Sequence, residues 1–339
     1  MTTDASHVAD TTADTVTDPS TMTLQQAFEA VNHIKTNISQ VLVGQDLVIE
    51  NVLTTLFAGG HVLLEGVPGL GKTLLVRALA QSVQVDFARV QFTPDLMPSD
   101  VLGHSLYDMK AGQFTTKRGP AFTNILLADE INRAPAKTQS ALLEVMQEQQ
   151  ITIDGTSTAL ASPFMVLATQ NPLDQEGTYP LPEAELDRFM MKIELQYPDE
   201  AAEIALLKLN TEIKSNEQNV ETLASVINAD KIAQIKNLAT ATIVDEKIFQ
   251  YAVDIARQTR TWHGVLHGAG VRASINLLKA AKVNALMNGR DFVTPDDVKI
   301  VAPNILRHRL VLSAELELEG VSQAQVITEI LASIEAPRI

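Results

Sequence analysis

The stretch that decides the fold is Gly66-Val67-Pro68-Gly69-Leu70-Gly71-Lys72-Thr73. Its spacing is that of a phosphate-binding loop, in which a glycine is followed by four residues and then by Gly-Lys-Thr. Residues 61–65 before it form an apolar run typical of a short buried strand, and residues 74–80 after it are strong helix formers. Strand, glycine loop and helix follow one another in the order that this motif requires.

The chemistry of this loop is that of a nucleotide site. Glycines let the backbone curl until several N–H groups point into one concavity, and the helix N-terminus adds positive potential there. Lys72 can reach the β and γ phosphates, and the hydroxyl of Thr73 can bind Mg²⁺. The alternative is a glycine-rich turn that binds nothing. We therefore predict that ATP and Mg²⁺ are the cofactors and that the nucleotide contacts Gly66, Val67, Pro68, Gly69, Leu70, Gly71, Lys72, Thr73 and Leu74.

Composition limits the other functions open to this chain of 339 residues. The formal charge of −15 argues against sequence-independent binding of nucleic acid, although a local basic loop is not excluded. With no cysteine, the chain can form no disulfide, thiol nucleophile or thiolate metal site. There is no apolar run of membrane-spanning length and no secretory signal pattern, so we expect a cytoplasmic protein.

The pattern of the chain predicts three segments. Residues 1–21 are mostly Thr, Asp, Ala and Ser, which is typical of a disordered acidic tail. Residues 22–198 alternate helix and strand signals, which predicts an α/β domain with a mostly parallel sheet. In residues 199–339 the strand signal stops, and helical periodicity predicts an all-helical second domain.

Individual elements follow from periodicity and turn signals. Besides residues 61–65, we predict strands at 87–92, 125–130, 164–169 and 190–195. Turn signals at 109–112 and at Asp154-Gly155 predict two inserted β-hairpins. Besides residues 74–80, helices are predicted at 24–38, 46–58, 136–149, 200–215, 228–241, 245–260, 271–288, 295–301 and 321–334.

Asp129 and Glu130 end an apolar strand, where a second nucleotide motif is expected. Neighbouring side chains on a strand point to opposite sides, so Asp129 can face the Mg²⁺ shell while Glu130 faces the attacking water. Exposed acids at a strand end are common, and only the upstream loop makes this pair a strong signal. A carboxylate beside water indicates hydrolysis rather than transfer of phosphate to a bound acceptor.

Three further polar residues are candidates, each with an alternative role. Asn171 can orient the water or touch the γ-phosphate, but it can equally form an Asx turn before Pro172. Arg188 can stabilise the charge of the transition state, yet a surface ion pair with Asp187 or Glu185 is the more ordinary role for such an arginine. Arg272 lies at a predicted helix start, where it is disfavoured by the helix dipole, so it is either solvated or paired with an anion elsewhere.

With these residues in place, the chain resembles the MoxR family of AAA+ ATPases over residues 24–339. Besides the loop, the residues that carry the resemblance are the strings at 126–135, 168–172 and 181–189, of which Asp-Glu-Ile-Asn-Arg-Ala-Pro at 129–135 is the most specific. The resemblance implies a sheet of strand order 5-1-4-3-2 with flanking helices, two inserted β-hairpins and a smaller helical lid. It also implies ring hexamers that remodel or load cofactors into partner proteins, often ones with von Willebrand A domains.

The same resemblance implies a role for each candidate. Asp129 and Glu130 would be the metal-shell and catalytic residues, and Asn171 would sense the γ-phosphate. Arg188 would act as an arginine finger on the next subunit's nucleotide, and Arg133 would lie near that interface. Arg272 would be the arginine of the lid, although Gly268-Ala269-Gly270-Val271 before it departs from the usual Gly-Ala-Ser-Pro. The residues expected to lie against the adenine are Val43, Gly44 and Gln45.

We therefore predict an ATP-hydrolysing ring ATPase with a chaperone-like action on partner proteins. Two alternatives stay open. One is a nucleic-acid-dependent ATPase that uses Lys110, Lys117 and Arg118 near the first hairpin, which the overall acidity disfavours. The other is a nucleotide-dependent scaffold that does not hydrolyse ATP, which the intact Asp129-Glu130 pair disfavours.

Overall fold

The computed structural model describes residues 22–110, 112–172, 177–212 and 220–338, so the tail predicted at residues 1–21 lies outside the described part. The strands, in chain order, are β1 (Val62–Glu65), β2 (Phe87–Gln91), β3 (Gly103–Asp108), β4 (Gln113–Arg118), β5 (Ile125–Asp129), β6 (Gln150–Ile153), β7 (Thr156–Ala159), β8 (Met165–Gln170), β9 (Met191–Glu194), β10 (Val265–His267) and β11 (Val311–Leu312).

The helices surround these strands and form most of the C-terminal part. In chain order they are α1 (Leu24–Ser39), α2 (Asp46–Ala58), α3 (Lys72–Ser82), α4 (Pro98–Leu102), α5 (Ala136–Glu148), α6 (Glu183–Leu186), α7 (Glu200–Glu212), α8 (Ala229–Ala241), α9 (Glu246–Thr261), α10 (Val271–Met287), α11 (Pro295–Leu306), α12 (Ala314–Leu318) and α13 (Gln323–Ser333). Two turns of 3-10 helix lie at Ile131–Arg133 and Arg307–Arg309.

The predicted fold class is confirmed. The main sheet has the order β2-β5-β8-β1-β9, and all of its pairings are parallel. Numbered among these sheet strands alone and taken from the β9 edge, this is the order 5-1-4-3-2. The pairs β3–β4 and β6–β7 are the two inserted hairpins, each antiparallel.

Alternation along the central strands separates the core into two layers. In β5, Ile125 and Leu127 pack on the side of α3, while Leu126 and Ala128 pack on the side of α5. All of these residues are fully buried, as expected of a parallel strand covered on both faces. Because the strands are parallel, their carboxyl ends meet at one edge of the sheet, and the loop before α3 lies at that edge.

The C-terminal helices pack directly on the first two helices of the chain. Buried residues of α1 and α2 belong to the same apolar cluster as those of α8, α10 and α11. The predicted domain boundary near residue 198 stays a prediction.

One feature of the C-terminal part was not expected from the sequence. The antiparallel ribbon β10–β11 joins segments more than forty residues apart, and each strand is too short to give a periodic signal.

His61, just before β1, is buried, and its ring forms hydrogen bonds with the C-terminal end of α5 and with β8. Its Nε2 lies 3.1 Å from the carbonyl oxygen of Met146, and the backbone N–H of Val166 donates to its Nδ1 at 3.0 Å. This pattern requires a neutral ring with the proton on Nε2. Burial lowers the pKa of His61 to about 4, because a charged imidazole would be desolvated there.

A pH dependence of stability follows from His61. The unfolded chain takes up a proton near pH 6.5, but the folded chain does so only near 4. The contribution of His61 is therefore fully present above pH 6.5 and is lost as the pH falls towards 4, by roughly 3 kcal/mol in the free energy of unfolding. We expect urea unfolding of His61→Gln to lose less stability than the wild type between pH 7 and pH 4.5. The exposed His33→Gln is the matched control, and parallel loss in wild type and His61→Gln would contradict the assignment.

Candidate functional site

The loop at 66–73 adopts a conformation that glycine alone makes easy. Gly69 and Gly71 have φ of +90° and +77°, in the left-handed region. A Cβ on Gly71 would also lie 2.9 Å from Leu42 Cδ1, so the position allows no side chain without a shift. Gly71 is the N-cap of α3 and offers no side-chain cap. The first amides of α3 therefore remain available to an anion.

A cleft of about 440 Å³ lies between this loop and the carboxyl edge of the sheet. Its volume is within the range of small-molecule sites. Most of its lining comes from the loop, from the start of α3 and from the ends of β2, β5 and β8. The lining residues are Pro68, Gly69, Gly71, Lys72, Thr73, Leu74, Arg77, Arg89, Asp129, Glu130 and Asn171.

The predicted loop residues divide into two groups. Lys72, Thr73 and Leu74 line the cleft together with three loop residues before them, and Lys72 Nζ donates to the carbonyl of Gly66 at 2.6 Å. Gly66, Val67 and Leu70 are not among the lining residues. Leu70 is buried in the core instead, so its side chain anchors the loop.

Asp129 ends β5 on the same side of the sheet as α3. It follows Leu127 by two residues, and Leu127 packs in the core layer that contains α3. Its Oδ1 accepts from the hydroxyl of Thr169 at 2.6 Å, and its Oδ2 accepts from Arg89 Nη2 at 2.7 Å. The carboxylate is therefore held by the strands on both sides of β5.

Glu130 reaches the cleft by a different route from the one that strand alternation suggested. It lies just beyond β5, in a left-handed conformation with φ +56° and ψ +50°. Its Oε2 accepts from Gln91 Nε2 at 2.7 Å and from Arg133 Nη1 at 2.9 Å, and its backbone N–H donates to the Thr169 hydroxyl at 2.8 Å. Such a conformation is uncommon for a residue other than glycine and is frequent at functional sites.

The other predicted residues lie in different places. Asn171 follows β8, lines the cleft and is 8% exposed. Val43-Gly44-Gln45 touches the loop from outside the cleft: Gln45 Nε2 donates to the carbonyl of Leu70 at 3.0 Å. Gly44 has φ +78°, and a Cβ there would lie 2.5 Å from Ala202 Cβ in α7, so α7 packs directly on this segment.

Arg188 and Arg272 do not line the cleft of their own chain. Arg188 Nη1 donates to the carbonyl of Leu143 at 2.9 Å, rather than pairing with the neighbouring Asp187 or Glu185. Asp187 instead accepts from Arg272 Nη1 at 3.1 Å and from Arg309 Nε at 2.6 Å. Asp187 is thus the anionic partner that the position of Arg272 at a helix start called for.

Arg309 was not singled out from the sequence. It is 7% exposed, and besides Asp187 it binds the backbone carbonyls of Phe189 and Met190. Burial lowers the pKa of Arg309, and the bond to Asp187 offsets part of that effect. Arg309 therefore fixes the segment that carries Asp187 and Arg188 against the C-terminal helices.

Two arginines of the cleft were also missed. Arg77 lies one turn after Thr73 on α3 and approaches Glu221 to 3.9 Å. Arg89 lies two residues before Gln91 on β2, so both side chains are on the same face of the sheet. Gln91 pairs in register with Asp129. The signal was present in part, since a basic residue two positions before the end of β2 faces Asp129 if β2 neighbours β5.

Within the described ranges, no cluster of three or more acidic or histidine side chains could hold a metal ion, and no helix is long and apolar enough to span a bilayer. Mg²⁺ commonly binds one or two carboxylates and completes its shell with water and substrate phosphates. Thr73 and Asp129 in one cleft fit that requirement, provided that a nucleotide supplies the remaining oxygens.

The chain is similar to known families and proteins over most of its length. Residues 61–191 match the model of the ATPase family associated with various cellular activities (AAA), and residues 257–330 match that of the AAA lid domain. The chain is 45% identical to the uncharacterised protein YeaC of Bacillus subtilis, covering 91% of this chain and 94% of YeaC. It is 41% identical to Chaperone MoxR1 of Mycobacterium tuberculosis, covering 89% and 81%. A crystal structure of a candidate ATPase from Cytophaga hutchinsonii is 42% identical and superposes with a TM-score of 0.85, covering 93% of this chain and 97% of that one.

Proposed function

Because the chain belongs to the MoxR family of AAA+ ATPases, we propose that it hydrolyses ATP within a ring of identical subunits and uses the energy to remodel partner proteins. The observation that carries this proposal is the convergence of Lys72, Thr73, Asp129, Glu130 and Asn171 on one cleft. These residues come from two separate strand ends and one helix start, and each supplies a group that phosphoryl transfer to water requires.

Each side chain of the cleft has a role in this proposal. Lys72 binds the β and γ phosphates, and Thr73 and Asp129 hold the metal shell. Glu130 accepts the proton of the attacking water, and Asn171 orients that water. Mg²⁺, when bound with the nucleotide, neutralises charge on the phosphates as it develops. Gln45 Oε1 is buried without a protein partner among the described residues, and from the family resemblance we propose that Val43, Gly44 and Gln45 lie against the adenine.

The positions of Arg188 and Arg272 favour a ring of subunits. Arg188 and Arg272 both adjoin Asp187 and are absent from the lining of their own cleft. We propose a ring of head-to-tail subunits in which the surface that carries them would face the cleft of the next subunit. We propose that both act there on the γ-phosphate and, from the family resemblance, that the ring is a hexamer.

The partner is proposed from the relatives. One relative is named as a chaperone, and the family resemblance suggests a client with a von Willebrand A domain, including insertion of a metal cofactor. The cytoplasm is the proposed location.

Nucleic-acid dependence is less favoured, although Lys117 and Arg118 on the exposed strand β4 supply a local basic surface. Stimulation of ATP turnover by DNA that weakens with added salt would favour that alternative.

Nucleotide binding tests the proposal first. Replacing Lys72 by Ala removes the charge that lies in the cleft beside the loop, and we expect ATP affinity to fall about 10- to 100-fold. Titration calorimetry with ATP and with ADP measures this. The matched control is Lys137→Ala, an exposed lysine on α5, which should bind as the wild type does. A wild-type chain that takes up neither nucleotide would refute the proposed function.

A further inference from the structure

Both oxygens of the Asp129 carboxylate already have partners within the chain. Oδ1 accepts from the Thr169 hydroxyl at 2.6 Å. Oδ2 accepts from Arg89 Nη2 at 2.7 Å and from Arg89 Nε at 3.3 Å. The Arg89 guanidinium is therefore the counter-ion of Asp129, and it contacts the oxygen that is not taken by Thr169.

The position of Arg89 is set by the register of the sheet. Gln91 on β2 lies opposite Asp129 on β5, and Arg89 is two residues earlier, on the same face. Gln91 Oε1 accepts from Arg89 Nη2 at 3.1 Å, so β2 orients the guanidinium. This face is the one covered by α3, which carries Thr73 at its start. Arg89 thus binds the carboxylate oxygen that a cation shared by Thr73 and Asp129 would also need.

Arg89 is also able to move. Its side chain is 47% exposed and lines the cleft beside Lys72 and Arg77. The Asp129 side chain is only 13% exposed, but the guanidinium that pairs with it is open to water on the cleft side, so a divalent cation can replace the arginine there. A guanidinium released from Asp129 remains in the cleft, where a polyphosphate would offer it new acceptor oxygens.

We propose that Arg89 and Mg²⁺ compete for Asp129. Without nucleotide, Arg89 neutralises the carboxylate. A magnesium ion bound with a nucleotide would be held by Asp129 in place of Arg89, and the Arg89 guanidinium would then be free to turn to the phosphates. This inference rests on the proposed function, because it concerns the same cleft. It implies that Arg89 lets the cleft accept a nucleotide without Mg²⁺, since it shields the phosphates from the negative charge of Asp129.

The test compares nucleotide affinity with and without the metal. A fluorescent, non-hydrolysable ATP analogue is titrated in Mg²⁺ and in EDTA. The quantity compared is the ratio of the dissociation constant in EDTA to the dissociation constant in Mg²⁺. In Arg89→Gln the bare carboxylate repels the metal-free analogue, so this ratio should rise about tenfold or more over the wild type. The Mg²⁺ concentration at half-saturation should fall, because the competitor is gone. Arg89→Lys, which keeps the charge, should lie nearer the wild type.

Two further variants separate competition from simple phosphate binding. Arg77→Gln removes another arginine of the cleft, one that approaches Glu221 to 3.9 Å, so it should weaken binding by the same factor with and without Mg²⁺. In an Asp129→Asn background, Arg89→Gln should no longer change the ratio. An unchanged ratio in Arg89→Gln, or an effect that persists in that background, would overturn this inference alone. A wild-type chain that binds no analogue would overturn it together with the proposed function.

Discussion

Replacement of Glu130 by Gln is expected to leave ATP bound and to lower its turnover by about 10²- to 10⁴-fold, which is the usual contribution of a general base. The amide has the shape of the carboxylate but cannot accept a proton from water. Its oxygen, placed where Oε2 lies, can still accept from Arg133 Nη1 and from Gln91 Nε2, which donate to Glu130 Oε2 at 2.9 and 2.7 Å. The backbone at φ +56° is unchanged by this substitution.

The measurement is phosphate release under saturating ATP, together with calorimetric affinity for ATP. Glu144→Gln is the matched control, because Glu144 is an exposed carboxylate on α5 and receives the same change. Asp129→Asn should differ from Glu130→Gln by weakening the Mg²⁺ dependence of binding. Turnover near the wild-type rate in Glu130→Gln would rule out Glu130 as the base. The same variant, if it traps ATP, can also retain a client for identification.

The second large effect is expected from Arg188. Substitution by Ala should reduce turnover by about 10³- to 10⁵-fold if Arg188 acts as an arginine finger. Nucleotide affinity of the isolated subunit should change little, because Arg188 is not among the residues lining its own cleft. The fold should also tolerate the change. The guanidinium makes a bond to one carbonyl, that of Leu143, and is not a buried ion pair.

Mixing two inactive variants shows whether Arg188 acts on another subunit. Arg188→Ala retains a complete cleft, and Glu130→Gln retains the arginine. In an equimolar mixed ring, roughly a quarter of the interfaces then combine an intact cleft with an intact Arg188. We expect activity to return on mixing. Absence of any recovery, with both variants shown by sedimentation to co-assemble, would mean that Arg188 acts within its own chain or not at all.

Much of the fold follows from local pattern. The glycine loop, the apolar strands and the amphipathic helices at 24–38, 136–149 and 271–288 each carry their signal within a dozen residues. Elements without such a signal were missed. Residues 98–102 form α4 with Pro98 at its first position, and five residues are too few to give a periodic signal. The ribbon β10–β11 was missed because its pairing is set by distant residues.

The candidate site divides in the same way. The loop, Asp129, Glu130 and Asn171 were found because each directly follows a strand with a strong apolar signal, and parallel strands bring their carboxyl ends together. The arginines were harder to place. Arg77 and Arg89 were overlooked although both line the cleft. A surface ion pair with a neighbouring acid was the alternative role of Arg188, whereas the bonds of Asp187 go to Arg272 and Arg309.

The sequence by itself therefore determined the nucleotide loop, the order of the elements and the family, because these depend on residue types at short, regular spacings. The tertiary structure alone decided that Arg89 faces Asp129, that Glu130 turns into the cleft through a left-handed backbone, and that Asp187 joins two arginines of the C-terminal part. These contacts join residues up to 122 positions apart. Their geometry depends on strand register and helix packing, which no local periodicity encodes.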